Sequence, residues 1–263
     1  MPDPLLYVLA GLLVGLLIGL TGIGGGSIMT PILVFGFGQS PSIAVGTDLV
    51  LASITKLAAT GSLGFSHRIE WQIVGRLALG SLPASAVVVG WLYLSHRSAP
   101  ETDHLILRAL AVTLVCTGGV LLFQPQIRRL GVRATAATLG RAKRLQPALT
   151  ILAGILLGVA VTMTSVGAGA LGTVALLYLY PLRLTPDRLV ATDIAHALPL
   201  TLVAGLGHAA LGHVNLPMLG SLLLGSIPGV LIGTRVVIRL PQAVLRVLIA
   251  ALLVISGGRM LVS

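Results

Sequence analysis

The chain has 263 residues, 56% of them apolar and only 9% charged, with a mean hydropathy of +1.03. A soluble domain carries about 25% charged residues because its surface faces water. This composition therefore excludes a soluble globule, and apolar stretches of about 18 residues or more require several membrane-spanning helices. The net charge of +10 and pI near 11.3 do not point to nucleic acid, because many basic residues lie in short segments between apolar stretches, the positive-inside pattern.

In chain order, the first element is an apolar run over about 5–36, broken by Thr21-Gly22-Ile23-Gly24-Gly25-Gly26-Ser27. Met1 to Leu20 lacks a basic leader and carries Asp3, so it reads as a first membrane element and not as a cleaved signal. Spans follow at about 45–66, 72–94 and 104–123. Residues 124–147 read as a basic cytoplasmic loop with Arg128, Arg129, Arg133, Arg141, Lys143 and Arg144, a segment suited to anionic lipid headgroups. A second apolar run over about 149–180 is broken by Thr164-Ser165-Val166-Gly167-Ala168-Gly169-Ala170, and spans follow at about 189–211, 216–238 and 243–261. Pro31, Pro83, Pro199 and Pro228 fall within these elements and suggest kinks, which membrane helices tolerate.

The order of motifs repeats. The two breaks resemble each other, Val45-Gly46-Thr47-Asp48-Leu49 resembles Val190-Ala191-Thr192-Asp193-Ile194, and Gly80-Ser81-Leu82-Pro83 resembles Gly225-Ser226-Ile227-Pro228. Gly118-Gly119 is echoed by Gly257-Gly258. The expectation is an all-α integral membrane protein of two homologous repeats, residues 1–123 and 148–263, joined by the linker 124–147. Each repeat is a glycine-broken element plus three transmembrane helices.

The broken element either crosses the membrane once, giving parallel copies, or folds back as a hairpin, giving inverted copies. With the basic linker inside, a hairpin also puts the 181–188 and 236–242 loops inside and the uncharged 212–217 loop outside. A through-going element reverses all three, so loop charge favours inverted copies.

Unwound backbone in hydrocarbon needs protein or a wet cavity around it. Glycine leaves amides uncovered, and a half-helix starting at Ser27 would turn its positive end toward the break. Discontinuous helices from two repeats are a recurrent plan for transporter sites, whereas the plainer role for such glycines is close helix packing. The candidate substrate-binding residues are therefore Thr21, Gly24, Gly25, Gly26 and Ser27 in the first break, and Thr164, Ser165, Gly167 and Gly169 in the second. Lys56, one of only two lysines, lies midway along an apolar span. It is either a cationic contact for an anion or half of a structural pair with Asp48 or Asp193.

Asp48 and Asp193, each after a threonine (Thr47 and Thr192), lie near the expected starts of their spans. They read either as N-terminal caps or as protonatable carboxylates that couple transport to protons. His196 follows Asp193 by three residues and joins these coupling or structural candidates. No His-Glu-x-x-His motif, cysteine set or nucleotide loop is present, so no metal and no cofactor is expected. The single cysteine, Cys116, excludes an intramolecular disulfide and reads as a packing residue.

The Gly-Ile-Gly-Gly-Gly break followed by Pro31, the Gly46-Thr47-Asp48 element with Lys56 downstream, and the Gly-Ser-Leu-Pro/Gly-Ser-Ile-Pro pair resemble the sulfite exporter TauE/SafE family of membrane permeases. The resemblance covers nearly the whole chain apart from the linker, and the second copy is more degraded, as at Ala168. It implies a multi-pass permease, not an enzyme, that moves sulfite, sulfonates or related sulfur-containing anions across the cytoplasmic membrane. Without a nucleotide-hydrolysing domain, the flow would be gradient-driven or passive. A homodimer is one assembly open to it. The rival readings are an intramembrane redox or metal protein using the histidines, and a non-transporting membrane partner.

Overall fold

The computed structural model describes residues 3–21, 26–63, 68–95, 98–137, 141–235 and 242–262. These form α1 (Pro4–Thr21), α2 (Gly26–Pro31) continued by a π-helical turn (Ile32–Gly36), α3 (Pro41–Leu63), α4 (Trp71–Leu94) and α5 (Ala99–Leu122). Then come α6 (Gln124–Ala137), α7 (Arg141–Thr164), α8 (Ala170–Leu179), α9 (Pro186–Ala210), α10 (Leu216–Arg235) and α11 (Gln242–Val262). No strand occurs among the described residues, and six of their helices are long and apolar enough to cross a membrane. Leu79, Val87, Trp91, Tyr93 and Leu94 of α4 are exposed, as are Leu149, Leu152 and Leu156 of α7. Such side chains suit a hydrocarbon surround, with Trp71 and Trp91 near the two ends of α4 in the manner of interfacial aromatics.

Helix starts follow local chemistry. Glu101 Oε2 accepts the Ser98 N–H at 3.1 Å, one half of a capping box ahead of α5. α9 opens with Thr185 as its cap and Pro186 in its first turn, where a missing N–H costs nothing.

Helix directions follow from which backbones touch. A Cβ added at Gly46 of α3 would fall on the His213 carbonyl, and one at Gly205 of α9 would crowd Leu49 and Val50. α3 and α9 therefore run antiparallel. α1 and α10 run parallel in backbone contact, Gly11 against Leu222 and Gly233 against Leu16 and Gly19. α7 and α4 do the same, Gly154 against Leu77 and Gly158 against Ser81. α5 and α11 are antiparallel, Gly118 meeting Ala250 and Val254 while Gly257 meets Ala111 and Val115. Small residues at these crossings are what let helices associate in lipid, where apolar burial gives no advantage.

Both broken elements return to the face they left. Tyr7, near the start of α1, stacks on Phe37 at 4.4 Å and accepts a hydrogen bond from Gln39 Nε2 at 3.1 Å. In α7, Gln146 Nε2 donates to the Leu179 carbonyl at 2.6 Å, and the Thr150 and Tyr180 hydroxyls lie 2.8 Å apart. One face carries the start of α7, the end of α8 and the 181–188 loop, whose Arg183 and Arg188 pair with Glu70 at 2.7 and 2.8 Å. The loop around His213 lies on the opposite face, beside the start of α3.

Three expectations need correction. The 124–147 segment is not a loop: α6 occupies Gln124–Ala137 and α7 begins at Arg141. Its charge indicated a side of the membrane and said nothing about conformation, and Gln, Arg, Leu and Ala are good helix formers. Asp48 and Asp193 are not caps, because each is the eighth residue of its helix. The helices start earlier, at the Ser40-Pro41 and Thr185-Pro186 steps. Cys116 is exposed on the outer side of α5 rather than packed.

Candidate functional site

Near the middle of the molecule, α3 and α9 bring buried polar groups together. Asp48, the one acidic residue of α3, is buried, and its Oδ2 accepts the Thr30 Oγ1 hydrogen bond from α2 at 2.6 Å. Asp193 holds the corresponding place on α9, beside Thr173 of α8. Its Oδ1 rests against Gly172, where any side chain would collide with it, and has no hydrogen-bond partner. Lys56, only 5% exposed, interacts electrostatically with both carboxylates. It lies two turns beyond Asp48 on α3 and meets Asp193 of α9 across the antiparallel crossing.

His196, 1% exposed, lies near Lys56. Its Nε2 is 2.8 Å from Ser81 Oγ of α4, and its Nδ1 is unpartnered. Ser165 of the second break is buried with its hydroxyl beside the Asp48 carboxylate. Two orphaned polar atoms near the ammonium, Asp193 Oδ1 and His196 Nδ1, are costly in a dry interior, at about 1–3 kcal/mol each, unless water or a ligand fills the gap.

The breaks themselves differ in what they place. At the second, Thr164 Oγ1 donates to the Ala160 carbonyl at 2.6 Å and accepts the Val166 N–H at 3.2 Å, closing α7. Ser165 then takes φ 58° and Gly167 φ 105°, turning the chain into α8 just after Gly169. The left-handed region is costly for a residue other than glycine and marks a constrained spot. At the first, Gly26 opens α2 and Ser27 is buried. Gly24, Gly25 and the Thr21 side chain lie outside the described residues.

Of the sequence candidates, Asp48, Lys56, Ser165, Asp193 and His196 are brought together. Thr47 and Thr192 instead brace the two faces: Thr47 Oγ1 accepts the Asn215 N–H at 3.1 Å and Thr192 Oγ1 accepts that of Glu70 at 3.2 Å. Thr30, Thr173 and Ser81 were missed. Each threonine stands four residues past the last glycine of its break, and Ser81 belongs to a repeated motif, so a signal was there to read.

Across the outer seam, His208 Nε2 lies 2.9 Å from the Thr162 carbonyl, and its Nδ1 lies 3.2 Å from His213 Nδ1. No group of three or more metal-ligating side chains occurs among the described residues. Burial holds His213, in the loop, below the usual imidazole value, and the Asp103 carboxylate opposes that shift.

Comparison with known proteins fits this architecture. The family model described as sulfite exporter TauE/SafE matches residues 7–260. The chain is 38% identical over 255 residues to the probable membrane transporter protein YjnA of Bacillus subtilis (strain 168), covering 97% of this chain and 98% of that one. It is 24% identical over 242 residues to the probable membrane transporter protein YdhB of the same organism, covering 92% and 94%. No solved structure matches. A multi-pass helical architecture, a charged centre inside it and a family match over nearly its whole length lead to one assignment: the chain belongs to the sulfite exporter TauE/SafE family of membrane transporters.

Proposed function

We propose that this transporter moves a small sulfur-containing anion, such as sulfite or a sulfonate, across the cytoplasmic membrane, driven by an existing gradient. The observation that carries this reading is the Lys56 ammonium, buried at the α3–α9 crossing within reach of two carboxylates and near His196. Lys56 supplies the cation, the Ser165 hydroxyl a donor, and the start of α8 a partial positive charge.

The deciding experiment uses purified protein in vesicles with labelled sulfite, sulfoacetate and thiosulfate. Saturable exchange of at least one is expected, and its loss from natively folded protein would leave the non-transporting reading.

We further propose that residues 1–123 and 148–263 are inverted copies. Support comes from pairings that exchange between halves: α1 with α10 and α7 with α4, and the Thr47–Asn215 and Thr192–Glu70 hydrogen bonds. On this reading the 181–188 loop is cytoplasmic, and so is the 236–242 segment, of which 236–241 lie outside the described residues. Exposed Arg128, Arg129 and Arg133 of α6 would then meet anionic headgroups. In a Cys116→Ala background, Val214→Cys should label from outside and Arg183→Cys should not. The reverse pattern would overturn the assignment of sides.

A further inference from the structure

We infer that Asp193 carries a proton with the transported anion, taking it from water on one side and releasing it to water on the other. The inference rests on the anion-permease reading of the same site. With its groups ionised, the centre holds two carboxylates, Asp48 and Asp193, against one ammonium, Lys56. An arriving anion adds a further uncompensated negative charge to groups that are 1–5% exposed. Each such charge costs several kcal/mol even after the protein relaxes. At least one proton must therefore enter with the anion for the loaded centre to approach neutrality.

The two carboxylates are not equivalent recipients. Each has a threonine hydroxyl as partner, Thr30 for Asp48 and Thr173 for Asp193, and Asp48 has the Ser165 hydroxyl beside it as well. Asp193 has a buried oxygen, Oδ1, without any partner, held against the backbone of Gly172. An ionised carboxylate has about four lone-pair sites to satisfy, whereas a carboxylic acid has fewer and can itself donate. The less satisfied group gains more by accepting the proton.

The titratable groups around Asp193 among the described residues are Lys56 of α3, which also interacts with Asp48, and His196 of α9 itself. α8 contributes Gly172 and Thr173, and α4 contributes Ser81 through His196. His196, one turn past Asp193 with Nδ1 unpartnered, offers a site through which the proton can pass.

The test uses the full chain in vesicles with the membrane potential clamped at zero. Thiosulfate and sulfoacetate serve as probes because, unlike sulfite, neither titrates near neutral pH. With the outside more acidic by one pH unit, one proton per anion gives accumulation of about tenfold. In Asp193→Asn the accumulation should fall to unity and in Asp48→Asn it should stay about tenfold, each read as the equilibrium ratio at whatever rate the variant still exchanges anion. Exchange without accumulation in the wild type would sink this inference alone, as would accumulation by Asp193→Asn or its loss only in Asp48→Asn. Absence of any exchange in the wild type would sink the permease reading beneath it. If Asp193→Asn is not monodisperse, proton uptake on thiosulfate binding to the wild type in weak buffer decides. About one proton per bound anion supports the inference, and none overturns it.

Discussion

α3 and α9 occupy corresponding places at one antiparallel crossing, yet they carry different chemistry. Counted from the shared Thr-Asp pair, Lys56 stands eight positions past Asp48, where α9 has Thr201. His196 stands three past Asp193, where α3 has Leu51. Their neighbours differ in step: Ser81 of α4 meets His196, whereas Ser226 of α10 is buried with no hydrogen-bond partner. Backbone packing is thus shared between the halves while the charged centre is not. The cation belongs to one half and the histidine to the other, so any site there is a single asymmetric one.

The largest effect should come where the halves are alike. Gly225→Val drives a side chain into the Val8 carbonyl, and Gly80→Val does the same at Ile151. Backbone cannot yield as a side-chain tip does, so each change should cost at least about 1–3 kcal/mol and sharply reduce folded yield in detergent. Gly220→Val, with open space around it, should not. A benign Gly80→Val beside a ruinous Gly225→Val would break the equivalence of the two crossings.

Next comes the point of difference. Lys56→Met should weaken anion affinity by roughly 10–150-fold, the worth of one charge-assisted contact of about 1.5–3 kcal/mol. Lys56→Arg should retain part of it, keeping the charge but not its shape. Removing one member of a buried ionic group also costs about 3–5 kcal/mol. If Lys56 serves only the acids, folded yield falls and Asp193→Asn in the same chain restores it without any affinity change. Normal yield and normal affinity in Lys56→Met would exclude both roles.

The paired serines give a finer contrast. Ser81→Ala strands His196 Nε2 and should cost about 1–3 kcal/mol, read as a lower unfolding midpoint. Ser226→Ala removes an unsatisfied hydroxyl and should be neutral or mildly stabilising. Equal losses at both positions would mean that Ser226 has a partner in solution.

The smallest effect is at the outer loop. His213 binds its proton less readily folded than unfolded, because burial disfavours the charged form. Its contribution to stability is then present above the unfolded value of about 6.5 and is lost as pH falls through the window beneath it. His213→Gln should flatten the decline in midpoint on acidification below about pH 6.5. An unchanged slope would place that pH dependence elsewhere.

How far the sequence led depends on which physical signal was involved. Charge scarcity and apolar length are global, so the helical membrane class was plain from residue counts alone. The two breaks were equally plain, since glycine clusters inside apolar runs are rare without cause. Helix starts were harder: hydropathy dips near Pro41 and Pro186, which drew the expected boundaries inward and made Asp48 and Asp193 look like caps. Reading the Ser-Pro and Thr-Pro steps as starts would have put both acids two turns deep. The meeting of Lys56 with Asp193 was legible only as one alternative among others, because it depends on two helices crossing antiparallel from distant parts of the chain. Thr30 and Thr173 were visible only as matched spacings after each break, and weakly polar hydroxyls draw little notice beside charges.

The interlocking of the halves has a mechanical consequence. α1 of the first half lies backbone to backbone along α10 of the second, and α7 of the second lies likewise along α4 of the first. Rocking one half as a block against the other would tear both of these contacts apart at once. The bodies that can move intact are therefore mixed ones, α1 with α10 and α7 with α4, each drawing a helix from either end of the chain. The α3–α9 crossing lies between these pairs, so a hinge there would put the charged centre on the axle and not in the wheel.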